Sequence, residues 1–436
     1  MGTFFEKVEK YFKKIKRDGI VSATKKAIVK FKSDYLSKIN PVTIIKFYKN
    51  KKNIYDELNN IIKNNKYDRV LVWRSSIGWN IPLFQRPQHL SKCLAQENCL
   101  VFYEVTKMTD KVDFIKKQSN NLYLVNFETN RFNKLFHEVI KEIEKPKYVF
   151  IASTSWDLNE KTIINYVNNN FTLLYDYLDD LNPALAGIEK LPTNVKTIHD
   201  YVVNHPKNTY VICTADILYK DMVKKRNNDK NITFACNGVT YEHFINLNKK
   251  IKYTEDFNKI LKEKKPIIGY YGALAKWYDY ELIKKLASER KDCNIVLIGA
   301  KYDTSFDASK IEKINNIHFI GSKSFDELPY YAKHFNVSIL PFLINDITKA
   351  TSPIKLFEYM ALGKPIVTTD LNECRKYKSV QIGKTHEEFI KLIDKSLNLK
   401  DNKYNELLKT EALENTWESK SKIIVTDLKK YEKDKQ

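Results

Sequence analysis

Residues 351–365 read TSPIKLFEYMALGKP, and this stretch predicts one short helix with defined ends. Thr351 or Ser352 is placed to cap the helix, and Pro353 suits its first turn. Gly363, which is followed by a further proline, predicts the end of the helix. The stretch therefore describes a compact helical unit that fits between two strands.

Short apolar strands are predicted on both sides of this helix, at residues 337–342 and 365–369. A strand, a loop, a helix and a second strand make a βαβ unit, which is typical of parallel α/β sheets. Ligands bind such sheets at the carboxyl ends of their strands. The start of the helix therefore lies at an edge where a ligand is expected.

Three polar residues share the face of the helix that does not pack. Ser352, Lys355 and Glu358 are three positions apart, which places them on one side. A lysine in the first turn opposes the helix dipole unless an anion binds there. The hydroxyl, the lysine and backbone N–H groups would then hold a phosphate, with Glu358 near a ribose diol. The alternative is an amphipathic helix with a solvated Lys/Glu pair.

The run Ser-Pro-x-Lys-x-x-Glu-Tyr, which starts at Ser352, resembles the donor-binding motif of GT-B glycosyltransferases. The resemblance is to the retaining type that builds bacterial cell-surface polysaccharides, and to its teichuronic-acid-type subgroup. It implies that Ser352 and Lys355 contact a nucleotide diphosphate and that Glu358 holds the ribose. Many relatives carry an earlier glutamate that touches the transferred sugar, where this chain has Ala350. The resemblance therefore implies nucleotide binding more strongly than recognition of a particular sugar.

A chain of 436 residues with 43% hydrophobic residues predicts two folded domains. Apolar strands alternate with helices in two series, which indicates two parallel α/β sheets. With the resemblance, this predicts an α/β protein of two Rossmann-like domains facing across a cleft, the GT-B fold. Trp417 resembles a family tryptophan in the last helices, which cross back onto the first domain. The expected parts are a basic helical extension at 1–66, an acceptor domain at 67–250, a nucleotide-sugar domain at 251–402 and C-terminal helices at 403–436.

The net charge of +21 is concentrated at the N-terminus, where residues 1–66 hold 17 Lys or Arg against 6 Asp or Glu. Aromatic and aliphatic residues recur there at helical spacing from Phe4 onward. This pattern predicts a surface for anionic membrane, and a location in the cytoplasm on the inner face of the cell membrane. The alternative is that these helices pack on the protein itself or form an oligomer contact. No nucleic-acid motif is visible, so nucleic acid is not an expected partner.

A second glycine-rich turn lies in the predicted nucleotide-sugar domain. Residues 268–277 read IGYYGALAKW, a strand that runs into a turn. Gly272 would let the backbone approach a phosphate closely, and Lys276 would add positive charge. The alternative is a tight turn with a solvated lysine.

In the predicted acceptor domain, residues 85–90 read QRPQHL, a run that resembles polysaccharide glycosyltransferases. The resemblance implies that this helix start and the preceding loop face the cleft. Gly78, Arg86 and Gln88 are the candidates on this side for contact with the acceptor or the diphosphate. The arginine suits an anion.

A cluster of carboxylates ends a strand at residues 174–180, which read LYDYLDD. Asp180 and Asp176 are the candidate catalytic residues, since a carboxylate there can accept a proton from an acceptor hydroxyl. The alternative is that these residues cap a helix.

Metal chemistry and cofactors are not expected. The sequence contains no D-x-D pair of the kind that holds a divalent cation with a diphosphate. The six cysteines have no metal-type spacing, which predicts buried thiols. The nucleotide-diphosphate sugar is then a substrate rather than a cofactor.

These observations predict a glycosyltransferase that moves a sugar from a nucleotide-diphosphate donor to a lipid-linked saccharide acceptor. Two alternatives stay open. One is a non-catalytic partner subunit that has lost recognition of the donor sugar, which Ala350 motivates. The other is a nucleotide-sugar epimerase, which would convert the donor without an acceptor.

Overall fold

Alternating strands and helices build two sheets, one in each half of the chain, and only one of the described strand pairs is antiparallel. The computed structural model describes residues 41–435 apart from positions 76, 82–83, 106–109, 156–157, 182, 184–189 and 400. The amphipathic pattern predicted from Phe4 onward falls largely on residues 1–40, outside the described residues. Its continuation, α1 (Pro41–Asn64), is a helix.

The first domain contains an eight-stranded sheet in the order β3-β4-β2-β1-β5-β6-β7-β8. Its strands are β1 (Arg69–Arg74), β2 (Cys99–Glu104), β3 (Ile115–Ser119), β4 (Leu122–Val125), β5 (Lys147–Ala152), β6 (Thr172–Tyr177), β7 (Thr209–Cys213) and β8 (Ile232–Phe234). Its helices are α2 (Arg86–Gln96), α3 (Asn130–Ile140), α4 (Glu160–Asn168), α5 (Thr193–Asn204), α6 (Asp216–Arg226) and α7 (Tyr241–Ile245). All strand pairs are parallel except β3 with β4.

The second domain contains a six-stranded, fully parallel sheet in the order β11-β10-β9-β12-β13-β14. Its strands are β9 (Ile267–Tyr271), β10 (Asn294–Ile298), β11 (Ile317–Phe319), β12 (Val337–Leu340), β13 (Ile366–Thr369) and β14 (Val380–Gly383). Its helices are α8 (Glu255–Lys262), α9 (Tyr280–Glu289), α10 (Ser305–Ser309), α11 (Leu328–Ala332), α12 (Asp346–Lys349), α13 (Ile354–Ala361), α14 (His386–Leu397) and α15 (Asn402–Glu414).

The strands are buried along nearly their whole length, because helices cover both faces of each sheet. This explains why they were visible in the sequence as continuous apolar runs. Edge strands differ, since β11 and β14 are only partly buried and β3 is mostly exposed. The strand β3 was missed in the sequence because an antiparallel edge strand facing water carries polar residues.

The last helix, α16 (Trp417–Lys435), returns to the first domain and packs against its sheet. Arg69 in β1 donates to Glu432 at 2.8 and 3.1 Å, and Tyr148 in β5 donates to the same carboxylate at 2.8 Å. At the other end of α16, the Trp417 ring stacks on His89 with 5.1 Å between ring centroids. His89 is therefore a packing residue, and burial lowers its pKa to about 3.

Candidate active site

A cavity of about 640 Å³ lies between the two domains. The first domain contributes residues that follow β1, β5 and β6, and the second contributes residues that follow β9, β10 and β12. The cavity is therefore placed at the carboxyl ends of strands from both sheets, where ligands bind α/β folds.

The start of α13 forms part of the cavity wall. The helix begins after Pro353, and no side chain caps it. The predicted cap is wrong because both hydroxyls are engaged elsewhere. Thr351 donates to the Ile347 carbonyl at 3.0 Å, and the Ser352 hydroxyl accepts from the Asn237 N–H at 3.3 Å. The first turn of α13 thus keeps backbone N–H groups for an anion.

Lys355 lines the cavity and passes directly over Gly272. A Cβ at Gly272 would lie 2.3 Å from the Lys355 Cε atom, so only glycine leaves room for this path. Burial lowers the pKa of Lys355, and the Glu358 carboxylate opposes that shift. Among the described residues, no carboxylate oxygen lies within 4.0 Å of the Lys355 ammonium. Its charge is therefore available to an anion in the cavity.

Glu358 is 6% exposed and is not among the residues that line the cavity. Burial raises the pKa of Glu358, whereas the Lys355 ammonium and the Tyr271 hydroxyl lower it. Contact between Glu358 and a ribose stays a prediction. The Glu358 carboxylate does raise the pKa of the neighbouring Lys355, against the larger effect of burial.

Lys276 does not lie with Lys355 at the cavity, in contrast to its predicted role. Its side chain is exposed and does not line the cavity. Its backbone N–H donates to Asp303 at 3.0 Å, which fixes the turn. The next residue, Trp277, does line the cavity, and its ring lies 5.3 Å from that of Tyr302.

Arg86 and Asp176 form a buried ion pair in the first domain. Three donor–acceptor distances of 2.9 to 3.2 Å join them, and the residues are 3% and 0% exposed. Burial raises the pKa of Asp176, and Arg86 opposes the shift. Asp176 does not line the cavity, so this geometry does not support its expected role as a base. Arg86 does line the cavity, and its contact with a ligand stays a prediction. Each charge is already satisfied by the other.

Gln88 and Gly78 also make their contacts within the protein. Gln88 is fully buried, and its side-chain amide donates to the Gly78 carbonyl at 2.8 Å. Its side-chain oxygen accepts from the Gln85 N–H at 3.2 Å. Neither Gln88 nor Gly78 lines the cavity. The two residues hold the loop in place, instead of contacting a ligand as expected.

The acidic run after β6 presents Asp179 to the cavity, not Asp180. Burial raises the pKa of Asp179 to about 6, and the neighbouring Asp176 and Asp180 add to the shift. The sequence placed three carboxylates at the end of this strand. It contained no signal for which of them turns inward, because that depends on how the loop leaves the sheet.

Asn237 is a further residue that the sequence did not assign to the site. Its side-chain amide donates to the Ser352 carbonyl at 2.6 Å, and its oxygen accepts from Arg86 at 3.4 Å. Arg86 also donates to the Cys236 carbonyl at 3.1 Å. A chain of hydrogen bonds therefore runs from Asp176 in the first sheet to the loop before α13.

The described residues contain no group of three or more His, Cys, Asp or Glu side chains arranged to hold a metal ion. All six cysteines are described, and each is buried and unpaired, as predicted. Across the described ranges, no helix is long and apolar enough to cross a membrane.

Two Rossmann-like domains that face each other across a ligand cavity define the GT-B class of fold, which confirms the prediction. Solved structures share it. Sucrose-phosphate synthase from Thermosynechococcus elongatus matches with a TM-score of 0.59 at 12% identity, over 83% of this chain and 98% of that one. HepE from Anabaena, in complex with UDP and glucose, matches with a TM-score of 0.54 at 12% identity, over 83% and 99%. At such identities the likeness shows the fold alone.

The second domain is the part with a family match. Residues 252–409 match the family of glycosyl transferases group 1. The chain is also 26% identical over 217 residues to the teichuronic acid biosynthesis glycosyltransferase TuaH of Bacillus subtilis (strain 168). That match spans 48% of this chain and 53% of TuaH, so it covers about half the length of either protein.

Proposed function

We propose that this chain is a glycosyltransferase that moves a sugar from a nucleotide-diphosphate donor to a saccharide acceptor in cell-surface glycan synthesis. The observation that supports the proposal most directly is a cavity whose two walls carry different chemical groups. One wall has the uncapped start of α13 and Lys355, and the other has hydroxyl groups and Asp179. The family match at residues 252–409 and the name of TuaH support it. The UDP and glucose bound in the HepE structure support a nucleotide-sugar donor.

The second domain is assigned to the donor. Lys355 and the N–H groups of α13 would stabilise the charge that develops on the leaving diphosphate. Because these groups already supply positive charge, the proposed reaction needs neither a metal ion nor a cofactor. Glu358 is proposed to contact the ribose, and the acceptor would bind the first domain. The resemblance to retaining enzymes favours retention at the anomeric carbon, which the anomeric proton coupling of the product tests.

A direct assay tests the proposal. The purified chain is incubated with UDP-glucose, UDP-galactose, UDP-N-acetylglucosamine and GDP-mannose, with and without alkyl glycosides as acceptors. We expect release of nucleotide diphosphate that depends on the acceptor and persists in EDTA. Loss in EDTA that manganese or magnesium restores would overturn metal independence alone.

The same assay separates the two alternatives. A non-catalytic partner subunit would bind the donor without releasing nucleotide diphosphate, and an epimerase would convert the donor without an acceptor. Ala350, which replaces the glutamate of many relatives and motivated the partner-subunit alternative, has a packing role. Ala350 is 2% exposed and packs with the apolar core of the first domain.

We also propose that α1 lies on an anionic membrane, where a lipid-linked acceptor would be presented at the cytoplasmic face. Ile45, Tyr48 and Tyr55 are 54%, 59% and 48% exposed. They share one side of α1 with the exposed Lys49 and Lys52. Aromatic and aliphatic groups with lysines beside them suit the headgroup region of a bilayer.

A further inference from the structure

The first-domain wall of the cavity carries hydroxyl groups and one carboxylate on loops that follow neighbouring strands. Ser75 follows β1, Thr154 and Ser155 follow β5, and Asp179 follows β6. These three strands are adjacent in the sheet, so their loops lie at one edge. Hydroxyl groups both donate and accept hydrogen bonds, whereas an ionised carboxylate only accepts them. The wall therefore suits a molecule with several hydroxyl groups, such as a saccharide.

The first-domain wall also presents a negative charge to the cavity. In the described part of the chain, Asp179 is the one carboxylate that lines the cavity, and Arg86 is the one cation on the same wall. Arg86 is paired with Asp176, so its charge is neutralised within the protein. The other lining cation, Lys355, lies on the opposite wall. A molecule that binds against the first-domain wall therefore meets the charge of Asp179.

We propose that Asp179 makes the acceptor site selective for uncharged saccharides over anionic ones such as uronides, an inference that rests on the proposed function. The Asp179 carboxylate accepts hydrogen bonds from acceptor hydroxyl groups that do not react. A carboxylate on the acceptor would instead lie close to a like charge, which weakens binding by at least about tenfold. Asp179 takes no part in proton transfer in this role, so the role is compatible with the proposed retention at the anomeric carbon.

The selection should depend on pH, because Asp179 repels an anion only when it is deprotonated. Burial raises the pKa of Asp179 to about 6, and the charges of Asp176 and Asp180 add to the increase. The lining cations, Arg86 and Lys355, keep their charge over the same range. A uronide carboxylate with an ordinary pKa stays ionised between about pH 5 and 8. The preference for uncharged acceptors should therefore be complete well above pH 6 and weaken as pH falls through about 6.

The experiment measures kcat/KM for matched acceptors with the full-length wild type, Asp179→Asn and Asp200→Asn. Octyl glucoside and octyl galactoside are each compared with the matching octyl uronide, in which a carboxylate replaces the hydroxymethyl group. At neutral pH the wild type should prefer the glycosides by at least about tenfold. Asp179→Asn keeps the size of the side chain and removes its charge, so this preference should fall to within about threefold. Asp200→Asn, which changes an exposed carboxylate on α5 of the same domain, should keep the wild-type preference.

The outcomes separate this role from the proposed function. If the wild type is active but uses the uronides as well as the glycosides, then charge selection is overturned and the proposed function stands. A wild-type preference that Asp179→Asn retains would assign the selection to another group and overturn the role of Asp179.

A second measurement covers the case in which Asp179→Asn does not fold, which its UDP binding by calorimetry reveals. The ratio of wild-type kcat/KM for glycoside and uronide is then measured between about pH 5 and 8, and a constant ratio overturns the role of Asp179. A wild type that is inactive with every donor and acceptor overturns the proposed function and this inference together.

Discussion

At the residue scale, Lys355 and Glu358 are the side chains on which the donor site depends. Lys355→Ala removes the charge that lines the cavity, and Glu358→Ala removes the carboxylate beside it. Loss of a charge-assisted hydrogen bond costs about 1.5–3 kcal/mol, so each variant should bind UDP roughly tenfold to a hundredfold more weakly. Calorimetric titration with UDP measures this. Lys349→Ala, an exposed lysine on α12, should leave the affinity unchanged, and unchanged affinity in all three variants would refute the assignment.

Gly272 is a second position on which the donor site depends, because an added Cβ atom would lie too close to Lys355. Its φ of +147° and the 2.3 Å approach to Lys355 Cε both exclude a side chain. Gly272→Ala should cost about 1–3 kcal/mol of stability and should also displace Lys355, so UDP binding should weaken. Gly363→Ala is the matched control, because Gly363 has a φ of +62° with nothing within 4 Å of an added Cβ. Both variants should melt earlier, but only Gly272→Ala should bind UDP less tightly. Equal UDP affinity in the two would contradict the proposed path of Lys355.

The sequence predicted part of this site because part of it is local. Ser352, Lys355 and Glu358 lie on one helix, so their spacing alone places them together. The ion pair of Arg86 with Asp176 joins residues 90 positions apart. Asn237 meets Ser352 across 115 positions. The first pairing follows from packing within the first domain and the second from the packing of the two domains, so no local spacing predicts either of them.

At the element scale, the anchorage of α16 to the first sheet rests on a buried ion pair. Arg69 is 1% exposed and donates to Glu432 from two nitrogens. Glu432→Ala would leave the guanidinium buried without its partner, which typically costs 3–5 kcal/mol. We expect a lower urea midpoint for unfolding of the first domain. Asp434→Ala, an exposed carboxylate on the same helix, should change stability by less than about 0.5 kcal/mol.

A double variant shows whether the charge or the packing causes that loss. Replacing Arg69 with Met and Glu432 with Leu removes both charges together. Apolar replacement of a buried ion pair is often neutral, so this variant should be more stable than Glu432→Ala. If the double variant is as unstable as the single one, then the contribution of Glu432 is packing and hydrogen bonding to Tyr148.

The elements themselves were largely predictable, since buried parallel strands are continuous apolar runs. The strands predicted at 337–342 and 365–369 agree with the observed Val337–Leu340 and Ile366–Thr369 to within two residues at each end. The exposed strand Ile115–Ser119 was missed because its pattern is polar. The cap of α13 was wrong because a hydroxyl near a helix start can serve another partner, here the Asn237 N–H.

At the scale of the whole molecule, charged and aromatic contacts join the two domains. The Glu373 carboxylate accepts from the Asp216 N–H at 2.8 Å, and Lys376 pairs with Asp216 at 2.7 Å. The ring of Phe325 stacks on His243 with 4.1 Å between ring centroids. Together with the Asn237 hydrogen bonds, these contacts fix how the two walls of the cavity face each other. None of them was visible in the sequence, where the partners are 82 or more positions apart.

The charge of the whole molecule leads to the last prediction, binding to anionic vesicles through α1. The exposed Ile45 and Tyr55 flank Lys49 and Lys52 on one side of this helix. Each lysine near an anionic surface contributes about 1 kcal/mol. Reversing two of them in the full-length Lys49→Glu/Lys52→Glu variant should therefore weaken binding by at least about 2 kcal/mol, roughly thirtyfold. Co-sedimentation with phosphatidylglycerol vesicles at low salt measures the effect. Phosphatidylcholine vesicles should bind weakly.

The matched control separates a localised surface from net charge. Lys391→Glu/Lys395→Glu changes the total charge equally, on exposed positions of α14 in the second domain. If α1 is the membrane surface, then this control should sediment with phosphatidylglycerol vesicles as the wild type does. Equal loss in both variants would mean that the attraction comes from the overall positive charge, which salt screens. Equal binding by all three proteins would place the contact outside these lysines. If the wild type does not bind these vesicles, then the membrane proposal is wrong. The exposed side of α1 would instead contact the protein itself or another copy of it.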